Sequence, residues 1–202
     1  FRNAQTPAFV LVQMAEVHVV GCIEGGEDFD QLALFCKWGI VTDDGRHDAK
    51  RWNLLEGIAS GQTQVDIAKE GCMSVWSFPL DLHYSTTTIH GWPKFTCEVW
   101  AHDKYGRNCL AGYGMCHLPT MPGIYELSVC TWKPKPQSWL EYINGFFLGA
   151  YPQLKNPDIV WRQDDRFRLS TVTSGTVKLR VSVITMGFEK HGVTQSNDAE
   201  AT

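Results

Sequence analysis

The chain contains no apolar run approaching the roughly 20 residues that a membrane-spanning helix requires. Its one apolar stretch near the start, Ala8 to Val12, is too short for the core of a secretory signal. No charge run or low-complexity linker divides the 202 residues, so the expectation is one well-buried soluble domain. A formal net charge of −4 gives no general attraction to nucleic acid, and any anionic partner would need a local basic patch. The sequence also lacks the usual signatures of chemistry. It has no Cys-x-x-Cys pair, and the adjacent Cys116 and His117 would point to opposite faces of one strand, where they cannot readily share a metal. There is no Gly-x-Ser-x-Gly elbow and no phosphate-cradling glycine loop. Cysteines paired with distant histidines are plentiful, but abundance is not an arrangement, and the expectation is a protein without catalytic residues, cofactor or metal.

What is present is cysteine, tryptophan and alternation. The seven cysteines are an odd number. Cys36 and Cys97 fall on apolar faces, where a thiol acts as a small hydrophobe, so a reduced, cytosolic compartment is expected. The most informative segment is 91–119. From Lys94 to His102, Phe95, Cys97, Val99 and Ala101 share one face, and Lys94, Thr96, Glu98, Trp100 and His102 the other, the pattern of a half-buried strand. Asp103 to Asn108 supplies turn chemistry, with Gly106 able to take positive φ. The return run places Leu110, Gly112, Gly114, Cys116 and Leu118 on one side and Ala111, Tyr113, Met115 and His117 on the other. Two glycines inside a strand point to a bulge or to close backbone approach.

Further strands are expected at 16–23, 32–42, 75–84, 124–132, 166–172 and 176–186, with weaker ones near Trp52 and Gln62. Helical crossovers are missing between most of them, which favours an all-β antiparallel sandwich over an α/β fold. One helix is expected: Ser138 to Glu141 reads as a capping box, and Trp139, Ile143, Phe146 and Phe147 follow at helical spacing before Gly149. Its apolar stripe either packs on the sandwich or faces a partner.

The last two strands invite a register. If Thr173-Ser174-Gly175 closes a three-residue hairpin with Gly175 in the left-handed position, Phe167 faces Val181 and Leu169 faces Leu179. Arg168 then stands opposite Arg180, with Arg166 and Lys178 on the same outward face. Like charges directly across strands are unfavourable. This face is either solvated and screened by acids, or a basic patch for an acidic protein surface or anionic lipid headgroups.

The segment around Asp103 resembles the middle of a C2-type sandwich. Reading outward, Met14 to His18, Leu34 to Gly39, Gly61 to Asp66, Asp81 to His83, Gly91 to Pro93, and Leu110 to Gly114 with Cys116-His117 are together similar to the B9 domain family. The resemblance runs from Met14 to Val193. It sets apart residues 1–13, read as translated upstream sequence or a cloning remnant, and the small, polar, acidic 194–202, read as a disordered tail. It implies a C2-like fold with one inserted helix. It also implies a non-enzymatic scaffold of the ciliary transition zone that supports cilium assembly and the membrane-protein diffusion barrier. Its partners would be other B9-domain proteins and the tectonic-like/Meckel-syndrome complex. Its location would be the cytoplasm and cytoskeleton, at the basal body and transition zone and along the axoneme. The alternative is a peripheral phospholipid-binding module.

C2 sandwiches often hold calcium between acidic loops, and here Glu24, Glu27, Asp28 and Asp30 crowd one loop while Asp103 stands in another. Calcium needs six to eight oxygen ligands, yet Ala101 and Tyr105 flank Asp103 where a second carboxylate would be needed, so no calcium site is expected. Trp38 and Trp76 lie within strands as candidate core. Trp52, Trp92, Trp100 and Trp132 fall at strand ends or on outward faces. The last three are the candidate aromatic anchors, unless a helix or long loop covers the sheet.

Overall fold

A computed structural model describes residues 14–42, 51–103, 105–136, 138–139, 152–162 and 169–191. The expected helix lies almost wholly outside the described residues, as do Arg166, Arg168, residues 1–13 and the tail. Among the described residues ten strands form one antiparallel sheet: β1 (Ala15–Glu27), β2 (Ala33–Val41), β3 (Trp52–Gly57), β4 (Ser60–Gln62), β5 (Asp66–Ile67), β6 (Ser74–Thr86), β7 (Lys94–His102), β8 (Asn108–His117), β9 (Gly123–Pro134) and β10 (Thr171–Met186). No helix of the described residues is long and apolar enough to cross a membrane.

The hydrogen-bonded order is β3-β6-β1-β10-β9-β8-β7-β2-β4, with β5 beside β2. The link between β8 and β9 is only two residue pairs wide, Tyr113 with Trp132 and Gly114 with Thr131. The sheet turns there, and β8-β7-β2-β4 folds over β3-β6-β1-β10-β9 as the second layer of a sandwich. The layers are tied directly: the Trp76 indole on β6 donates to the Leu34 carbonyl on β2 at 3.1 Å. One core runs between them, built from Val17, Val19, Leu82, Phe95, Val99, Val181 and Val183 among others. Each comes from the inward positions of an alternating strand, because the pleat sends every second side chain to the same face.

The segment 94–118 folds largely as its pattern dictates. β7 alternates buried and half-exposed from Lys94 to Ala101. Gly106 closes the turn, with φ +77° and its amide donating to the Asp103 carbonyl at 2.9 Å. β8 differs in one respect. A bulge places Val99 opposite Gly112 but Trp100 opposite Leu110, so Ala111 is an extra residue. Ala111 therefore joins the main core and Leu110 moves to the outer face with Tyr113, the reverse of strict alternation. Gly112 and Gly114 keep to the inner face, where a methyl on Gly114 would lie 2.8 Å from the Cys97 sulfur and 2.9 Å from a Val129 methyl.

The hairpin at Thr173-Ser174-Gly175 does not exist. β10 runs unbroken from Thr171 to Met186 and bulges against β9 between Thr173 and Thr176. Tertiary bonds hold this stretch extended: Ser174 Oγ donates to the Ala111 carbonyl at 2.7 Å, and Thr131 Oγ1 donates to the Gly175 carbonyl at 2.6 Å. Gly175 is required because the Phe29 ring would press against any side chain there, at 2.5–2.6 Å from an added methyl. Arg180 consequently faces Cys22 on β1 and Glu126 on β9, and the expected Arg168–Arg180 pairing is overturned.

Candidate interaction surface

The outward face of β6-β1-β10-β9 divides into a charged end and an apolar end. At the charged end, Glu24 and Glu27 lie within β1, where a loop was expected. A register shift between Ile23 and Gly25 inserts Glu24 as an extra residue against β10. Arg180 donates to Glu24 at 2.9 Å and to Glu126 at 3.3 Å, while Lys178 meets Glu27 at 2.8 Å. The ammonium pKa of Lys178 is raised by its hydrogen bond to Glu27. Asp30 pairs with Lys133 and Asp103 with Arg107. Thus the two described members of the expected basic face are charge-compensated, and the acids that crowd the start of the chain compensate them. Sequence could not match these partners, since Arg180 and Glu24 are brought together only by the β1–β10 ladder.

The apolar end carries Val20 on β1, Ile184 and Met186 on β10, and Ile124 on β9, all exposed. They share one face because Ser182 on β10 pairs with Val20 on one side and Ile124 on the other, two residues from Ile184. Core-facing positions were legible from alternation, but these four sit at the polar phase of the same pattern.

The tryptophans separate into core and cover. Trp38 and Trp76 are buried, as expected, and so is Trp52. Trp132 is not an exposed anchor: it is 7% exposed and packs on Tyr113 with ring centres 5.6 Å apart. Its burial comes from Leu154, Val160 and Leu169, which lie over the outer face and close a second apolar cluster with Leu110. Trp100 is half-buried beneath this cover, its indole donating to Glu98 at 3.1 Å with the Lys37 ammonium 4.8 Å over its ring. Trp92 packs edge-on to Trp52 at 5.2 Å and tilted against Phe188, at the rim of the main core. A 3-10 turn at Pro157–Val160 also walls a groove of about 480 Å³ over β2 and β7, lined by Lys37, Gly61, Thr96, Glu98, Asp158 and Trp161.

Residues 17–184 match the family model B9-C2, described as ciliary basal body-associated B9 protein. The chain belongs to the B9 domain family. B9 domain-containing protein 2 of Homo sapiens is 44% identical over 180 residues, covering 89% of this chain and 99% of that protein. The protein of that name from Drosophila melanogaster is 32% identical over 89% of this chain and 98% of its own length. B9 domain-containing protein 1 of Xenopus laevis is 30% identical over 87% of each. Among solved structures, a C2 domain of plant extended synaptotagmin 1 aligns with a TM-score of 0.41 and 9% identity, covering 87% of this chain and 98% of that one. The B9 match spans every strand described above, from β1 through most of β10.

Proposed function

We propose that this B9-domain chain is a non-enzymatic scaffold component of the ciliary base. In this reading it acts in the transition zone beside other B9-domain proteins and the tectonic-like/Meckel-syndrome complex, supporting cilium assembly and the barrier to membrane-protein diffusion. Family membership supports the location. The observation that carries the binding role is the apolar end of the outward face, Val20, Ile124, Ile184 and Met186, in a molecule whose core is already filled by the opposite phase of the same strands. A contiguous exposed apolar patch bordered by charge is the ordinary character of a protein-binding surface. The ion pairs of Lys178 and Arg180 leave the adjoining charged end closer to neutral than an anionic membrane would favour.

Co-purification of the chain with candidate B9-domain partners tests this reading. Ile124→Asp with Ile184→Asp should reduce capture at least tenfold below wild type while leaving the melting temperature of the isolated chain unchanged. Retention of every partner by that variant would place the interface elsewhere. Binding of anionic vesicles without any partner protein would instead favour the phospholipid module.

A further inference from the structure

The same outward face carries a compact set of metal-ligating side chains. Glu16 and His18 stand two residues apart on β1 and so share one face, and His83 lies directly opposite His18 on β6. The two imidazoles stack with ring centres 3.7 Å apart and planes inclined by 20°. His83 Nε2 lies 3.1 Å from Glu16 Oε2. One ligating atom from each of the three residues falls within 4.8 Å of the others.

The geometry points to a divalent transition-ion site, with zinc as the ion it fits best, held by Glu16, His18 and His83. Two imidazole nitrogens and one carboxylate oxygen form a donor set suited to zinc rather than to calcium or magnesium, which take oxygen ligands. Zinc bonds of about 2.0–2.1 Å at tetrahedral angles require ligand atoms roughly 3.3 Å apart. The Glu16–His83 pair, at 3.1 Å, is close to that edge, whereas His18, stacked face to face with His83, would have to turn its ring so that a nitrogen lone pair points at the same ion. The backbone beneath is fixed, since β1 is paired on both sides by β6 and β10, and β6 by β1 and β3. Ile184 stands opposite His18 and Met186 opposite Glu16 on β10, so apolar side chains wall one side. All three ligands are half-buried, leaving a fourth position open to water or to a group from outside the chain. This site does not depend on the scaffold reading.

Cobalt(II) substitution on the full chain tests it, because the seven cysteines offer competing ligands. One equivalent should bind with weak visible bands and without the intense near-ultraviolet thiolate-to-cobalt band. Zinc should displace it and raise the melting temperature by roughly 5–10 °C at about a hundredfold excess over Kd. His18→Gln and His83→Gln should each remove that equivalent, whereas Cys72→Ser with Cys130→Ser should leave it. If the histidine variants melt far lower without metal, Glu16→Gln on the fully folded chain should weaken binding at least tenfold. A thiolate spectrum, or an equivalent that survives both His83→Gln and Glu16→Gln, overturns the site.

Discussion

Gly114 shows most directly how a single residue sets the spacing of the layers. It lies where β8 turns toward β9, and a methyl there would meet sulfur and methyl groups that have nowhere to move. Gly114→Ala should therefore cost about 1–3 kcal/mol through overpacking, measured as a lower urea midpoint with unchanged slope. Gly39→Ala is the contrasting case: its added methyl comes no closer than 3.4 Å, to Thr96 Oγ1, and the midpoint should barely change. The cysteines allow a second residue-scale test. Cys97 is fully enclosed, and the hydrogen bond its neutral thiol donates to Cys36, followed by burial, pushes its pKa well up. Burial also raises Cys116 to about 12, whereas Cys72 and Cys130 are exposed. Native-state alkylation read by mass spectrometry should label Cys72 and Cys130 first, and Cys97 only on unfolding. Prompt labelling of Cys97 would contradict its burial. The raised thiols fix the sign of the alkaline response. An unfolded thiol ionises from about pH 8.5 while the folded Cys116 does not, so stability should fall as pH rises from there toward 12.

At the scale of elements, the consequential feature is the bulge at Ala111. It lets β8 bury side chains on both faces, inward against the main core and outward beneath the 152–162 segment. Trp132 anchors that outer cluster from β9, so Trp132→Ala should cost about 3–5 kcal/mol, and Trp132→Phe clearly less. Arg180→Ser removes two ion pairs from a side chain that is 56% exposed and should change stability by no more than about 1 kcal/mol. Chemical denaturation of the three variants checks both. A larger loss from Arg180→Ser than from Trp132→Ala would invert the reading of this face.

For the molecule as a whole, one core is shared by both layers, with Val17 and Val181 from one side meeting Phe95 and Val99 from the other. Among the described residues neither layer has a core of its own, and the smaller outer cluster likewise joins β8 to β9, so unfolding should be a single cooperative transition. Tryptophan fluorescence and far-ultraviolet circular dichroism should give coincident melts. Two resolved transitions would show that the layers fold separately.

Alternation of apolar and polar residues located most of the strands and their inward faces, because the pleat converts a period of two directly into burial, while turn chemistry located the turn at Gly106 and the missing helical crossovers pointed to the antiparallel sandwich. The long, tryptophan-rich motifs determined the family. Tertiary structure alone decided what depends on register. Thr173-Ser174-Gly175 has the composition of a turn but runs straight, because Phe29 and the Ser174 and Thr131 hydroxyls tie it to segments remote in the chain. Arg180 found Glu24 rather than a second arginine, and Trp132 found a covering segment rather than solvent. His83 came to stack on His18, 65 positions away in sequence, because β6 pairs with β1. Local pattern fixes which way a side chain points, but its neighbour is set by which strand lies alongside, and that is a property of the assembled sheet.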